Sequence, residues 1–168
     1  SLWSDEPMVY LAASQIPKNS NESPGRWHHH WNWKKGKNIR VVAFSNCSEV
    51  ELFLNGVSLG RRIPSKENGS RFFWNIPYQK GKLKAVGYKN DRQVSTNSLY
   101  TSGEPHKLEA QPEQNMAGTD DIIHIPVRVV DKDGHLLYDA DNRIEVIVKG
   151  PHILRRAIPA SLLQVGEK

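Results

Sequence analysis

Three consecutive histidines, His28, His29 and His30, are flanked by Trp27 on one side and by Trp31 and Trp33 on the other. Imidazole is a common metal ligand. On an extended segment His28 and His30 would share one face. No acidic or cysteine partner lies near them in sequence, so a third ligand would have to come from elsewhere, and a structural or surface role is favoured over a metal site. The tryptophans, with Trp74 further on, support other chemistry. Indole faces stack on the C–H side of a pyranose, and tryptophan also dominates protein interfaces. Three readings stand open for Trp27, Trp31 and Trp33: core packing, which is favoured for two or three of the set including Trp74, docking against another domain, and sugar contact.

Carboxylates are the other chemically capable groups. Catalysis by a carboxyl pair needs two of them about 5–10 Å apart across the substrate. Most acids here, among them Glu67, Glu104, Glu109, Glu113, Asp120, Asp121 and Glu145, fall in turns or alternate outward on strands. Glu49 and Glu51 share one strand face around Val50 and are expected to face solvent. Asp131, Asp133, Asp139 and Asp141 cluster near one turn, where calcium could be held by several oxygens. An Asp-x-Asp-Gly run is equally an ordinary hairpin turn, and the spacing of an EF-hand is not met. A single cysteine, Cys47, excludes an intramolecular disulfide and a cysteine-based zinc site. With no phosphate loop, nucleophile elbow or Cys/His dyad, the residues predict no catalytic group, no metal and no cofactor.

The elements that would position these residues are strands. Met8–Ala12, Ile39–Ser45, Val50–Leu54, Val57–Leu59, Arg71–Ile76, Lys82–Tyr88 and Gln93–Tyr100 alternate with period two. His28–Trp33 reads as extended and residues 15–26 as a long loop. Asn55-Gly56 suits a type I′ hairpin turn, Asn90-Asp91 marks a second turn, and Gly87 marks an irregularity. Residues 101–105 read as a hinge. Beyond it come strands at His106–Ala110, Ile122–Val130 and Ile144–Val148, with an Asp133-Gly134 turn, and a short helix is conceivable over 158–165. The expected architecture is all-β, with two tandem immunoglobulin-like β-sandwiches over 1–102 and 103–168, the second incomplete.

Net charge is +5, but the positive residues are scattered and no RNA-binding aromatic signature accompanies them, so nucleic acid is not an expected partner. No stretch approaches the ~18 apolar residues of a membrane helix. The first residues carry neither a basic n-region nor an apolar h-region, and their lack of an initiator Met suggests a segment of a longer or processed chain.

The order of motifs resembles a known family. Trp31-Asn32-Trp33, Val41–Asn46 and Glu49–Gly60, then Phe73–Tyr78, Gly81–Val86 and Tyr88–Asn90, are similar to the first β-domain after the catalytic barrel in bacterial β-galactosidases of glycoside hydrolase family 2. Pro105–Leu108, Val127–Gly134 and Asp139–Asn142 resemble the next, invasin-like module. After Gly150-Pro151 the chain departs from the family pattern. The resemblance implies a non-catalytic C-terminal region whose parent hydrolyses terminal β-galactosides or related β-glycosides with retention. The family's two catalytic glutamates lie in the barrel and have no counterpart here. The partners implied are the barrel, a carbohydrate, and a second copy of the chain, with either edge-mediated pairing or disorder expected beyond residue 150. Export or a periplasmic location in a bacterium is expected if the parent degrades polysaccharide. A stand-alone carbohydrate-binding module and an adhesin-like immunoglobulin array are the alternatives.

Overall fold

Strands that bury one face and wet the other must find a second apolar face to cover the first. The computed structural model describes residues 6–16, 26–113, 122–138, 140–149, 153 and 157. Its strands are β1 (Val9–Gln15), β2 (Asn38–Ser45), β3 (Glu49–Leu54), β4 (Val57–Arg62), β5 (Arg71–Pro77), β6 (Lys82–Lys89), β7 (Arg92–Tyr100), β8 (Lys107–Ala110) and β9 (Val127–Val130). No helix occurs among the described residues, so the fold is all-β, as the alternation predicts.

One antiparallel sheet has the order β1-β2-β5 and another β4-β3-β6-β7. Register gives each sheet one apolar face. Leu11 opposes Ala43, and Ala43 opposes Phe72 while Val41 opposes Trp74. In the other sheet Leu52 opposes Ala85 and Leu83 opposes Leu99. These faces meet in a single core cluster that also takes in Trp31 and Tyr78. A slip of one residue in any strand would turn its apolar set outward, which is why the register is held.

The turns follow their local chemistry. Asn55 and Gly56 have φ of 52° and 85°, and Asn90 and Asp91 have 51° and 61°, as two type I′ hairpins require. The irregularity expected at Gly87 is a register shift between Gly87 and Tyr88. β4 runs past the expected Leu59 to Arg62 because a bulge opposite β3 takes up one extra residue. The segment expected to be extended at His28–Trp33 forms no named strand and makes a backbone bridge at His28, which pairs with Ala13.

That bridge closes the free edge of β1. His28 N–H donates to the Ala13 carbonyl and Ala13 N–H to the His28 carbonyl, both at 2.8 Å. Leu11 N–H donates to Asn97 Oδ1 at 3.0 Å, and the Leu11 carbonyl lies 2.9 Å from His29 Nδ1. Backbone groups of Leu11 and Ala13 occupied in this way are not available to another strand.

The third sheet pairs β8 with β9. Here the structure corrects two expectations. The strand expected over Ile122–Val130 is confined to Val127–Val130, and Ile144–Val148 is not a strand. Residues 141–149 are exposed throughout. Alternation makes a strand only where a neighbour supplies hydrogen bonds and a face to bury. The helix considered over 158–165 and the pairing or disorder expected beyond residue 150 concern residues outside those described, apart from 153 and 157.

Candidate functional site

The histidine–tryptophan segment does not behave as one unit. Trp31 is fully buried. Its Nε1 donates to the Gln79 carbonyl at 2.9 Å and its ring meets Tyr78 edge-on at 5.4 Å. Trp31 is therefore a core residue and cannot reach a sugar. Trp33 is half-buried against the same core, and Trp74 lies within it. Trp27 remains 40 % exposed, with its ring 6.3 Å from Phe73.

Around Trp27 the chain forms an open concavity of about 410 Å³, lined by Trp27, His28, His29, His30, Asn32 and Tyr138. Tyr138 enters from beyond β9 and stands 6.5 Å from His29 and 5.7 Å from His30, ring to ring. His29 stacks on Tyr10 at 4.6 Å, and His30 lies 5.0 Å from Trp33. Burial pushes the Tyr138 hydroxyl up, the neighbouring Tyr10 adds to this, and Arg128 opposes it. Nothing local in the sequence could have marked Tyr138 or Tyr10, since each reaches the histidines only through the tertiary fold.

The cleft rests on fixed supports. The Asn32 amide donates to Ser102 Oγ at 2.6 Å and its oxygen accepts Ser102 N–H at 2.9 Å. Thr101 Oγ1 donates to the Trp31 carbonyl at 2.8 Å. The segment 31–32 is thus tied to the stretch that follows β7.

A second knot lies at Asp131. Its carboxylate is buried and accepts N–H from Gly103 at 2.8 Å, from Asp133 at 2.9 Å and from His135 at 2.8 Å. His135 Nδ1 is 3.3 Å away, and the His135 ring stacks on Tyr100 at 4.3 Å. Asp131, Asp133 and His135 bring their ligand atoms within 4.8 Å of one another, but backbone amides already occupy both Asp131 oxygens. Asp133 is exposed, Asp141 is exposed, and Asp139 lies outside the described residues. The cluster weighed for calcium is therefore, at Asp131, a turn whose carboxylate fastens Gly103 to β9.

These amides, the Gly103 N–H foremost, hold the Asp131 carboxyl down to about 2, against a usual 3.8, although burial pulls the other way. A carboxyl depressed on folding stabilises the fold above its unfolded value, and that stabilisation is lost as pH falls towards the folded value. We expect Asp131→Asn to melt below the parent at pH 7. The gap should close between about pH 4 and pH 2, followed by circular dichroism. A gap of constant size across that window would refute the linkage.

Glu49 and Glu51 lie on the outer face, as expected, but they are engaged. Arg61 bridges Glu49 at 2.6 Å and covers the Tyr88 ring at 3.8 Å. Glu51 accepts from Ser58 Oγ at 2.6 Å and from the Tyr88 hydroxyl at 3.1 Å. Both carboxylates serve to hold the β3–β4 edge together.

An all-β body with an apolar core between two antiparallel sheets, carrying an aromatic cleft at one rim, defines a β-sandwich protein. Residues 36–95 match a family model described as Domain of unknown function (DUF4982). A beta-glucuronidase of Formosa agariphila is 31% identical over 160 residues, covering 92% of this chain and 15% of its own length. A beta-galactosidase of Bacteroides ovatus is 31% identical over 124 residues, covering 72% of this chain and 14% of its own length. The crystal structure of a glycosyl hydrolase family 2 member from Bacteroides cellulosilyticus superposes with a TM-score of 0.71 at 32% identity, covering 80% of this chain and 19% of that one. These matches fit a C-terminal domain of a family 2 glycoside hydrolase. It spans about 15% of the length of the curated relatives it matches.

Proposed function

We propose that this chain is a non-catalytic, structural region of its parent glycosidase, built as two immunoglobulin-like modules that meet near residue 102 and pack against the catalytic barrel. The observation that carries this reading is the asymmetry of the matches: the relatives align with up to 92% of this chain while it accounts for only 15% of their length. The carboxylates support it, because Glu49, Glu51 and Asp131 are each committed to local structure. Since the relatives carry both beta-galactosidase and beta-glucuronidase names, the parent reaction we infer is retaining hydrolysis of a terminal β-linked galactose or glucuronic acid.

The test is direct. The purified chain, shown to be folded by near-ultraviolet circular dichroism, should release no p-nitrophenol above blank from p-nitrophenyl β-D-galactoside or β-D-glucuronide. Turnover by the folded chain would overturn the non-catalytic reading.

A further inference from the structure

We propose that the cleft between Trp27 and Tyr138 binds an uncharged pyranose unit of a glycan. The first support is exposure held by rigid structure. Trp27 is 40 % and Tyr138 50 % exposed, and aromatic side chains of this size gain most from being covered. They are not loose. His28, next to Trp27, is clamped by two backbone hydrogen bonds to Ala13 in β1. Trp31 anchors the segment in the core through Gln79, and Asn32 is locked to Ser102 by two bonds. A preformed aromatic surface loses little freedom when a ligand covers it.

The second support is the kind of group in the lining. Every ring there except Trp27's belongs to a histidine or a tyrosine, and all of them combine an apolar face with a polar edge. A pyranose has the matching design, with C–H bonds on its faces and hydroxyls around its rim. A purely apolar occupant would take the polar edges of these rings, the Tyr138 hydroxyl among them, away from water without replacing it, which is costly. The lining holds no Lys, Arg, Asp or Glu, so no permanently charged side chain in it favours a phosphate or a uronate over an uncharged sugar. A volume of about 410 Å³ falls in the range of small-ligand sites, and the open side leaves room for a chain to continue.

The cleft is inferred from its own geometry and from none of the likenesses to other proteins. Its failure would therefore leave the non-catalytic assignment standing, and turnover by the chain would leave the cleft standing. The experiment uses the full chain with β-linked disaccharides ending in galactose, glucose or xylose, and sorbitol as an acyclic control. Saturation-transfer NMR should show contact to ring C–H protons for at least one sugar and none for sorbitol. Tryptophan fluorescence should titrate in the millimolar range. Trp27→Ala and Tyr138→Ala should each weaken binding about tenfold, the loss of one stacked ring. Both positions are exposed, so the melting temperature should change little. No saturable signal for any of the sugars would overturn the proposal, as would unchanged binding in Trp27→Ala. Loss of self-association in Trp27→Ala, without sugar binding by the parent chain, would reassign the cleft to protein contact and equally overturn it.

Discussion

Trp31→Ala should destabilise the sandwich by about 3–5 kcal/mol, the range for emptying a fully buried large aromatic site. Trp31 is wholly buried, so its removal leaves a cavity between the sheets. It also strips the Gln79 carbonyl of its 2.9 Å donor and removes the edge-on partner of Tyr78. The two effects can be separated. Trp31→Phe keeps most of the volume and loses the N–H, whose acceptor belongs to the exposed Gln79 and can turn to water, so its cost should be nearer the roughly 0.5–1.5 kcal/mol of a single hydrogen bond. Urea titration followed by near-ultraviolet circular dichroism reads both. If Trp31→Ala costs less than about 1 kcal/mol, the residue does not anchor the core and the cleft it supports is not rigid.

Gly87→Ala should cost about 1–3 kcal/mol, the usual penalty for overfilling a packed interior. Gly87 lies on β6 opposite Val50, at the register shift. A Cβ there would sit 2.5 Å from Cys47 Sγ and 2.6 Å from Val9 Cγ2. Both neighbours are buried, so neither can swing into solvent. Relief must come from making room. Cys47→Ala removes the sulfur, and the double variant should be more stable than the sum of the two single changes predicts. Strict additivity in the chemical-denaturation midpoints would show that the crowding is not what Gly87 avoids.

The contrast between these two positions shows what a sequence can disclose. Gly87 was legible as an irregularity, because a glycine inside an alternating run weakens the strand and marks a bulge or a close approach. Its reason, the nearness of Cys47 and Val9, was not, since those residues come from elsewhere in the chain. Asn55-Gly56 was fully legible because the turn depends only on its own two residues. The tryptophans were half legible. Their number promised both core and surface roles, but whether Trp27 or Trp31 faced inward depended on the backbone bridge at His28, which carries no side-chain signal. Ile144–Val148 misled for the same reason: its alternation is local, while a strand needs a partner. Tyr138 was invisible as a cleft residue, for the knot at Asp131 and the pairing of Leu136 and Leu137 with β9 place that part of the chain.

The closure of the β1 edge by Asn97 also sets an order of events at the ribosome. The Leu11–Asn97 bond spans 86 residues of sequence. At synthesis rates of roughly 5–20 residues per second, β1 waits about 4–17 s between its own emergence and that of its last partner. β2 can pair with it sooner, but through that interval the face bearing Val9, Leu11 and Ala13 has no opposing sheet complete enough to cover it.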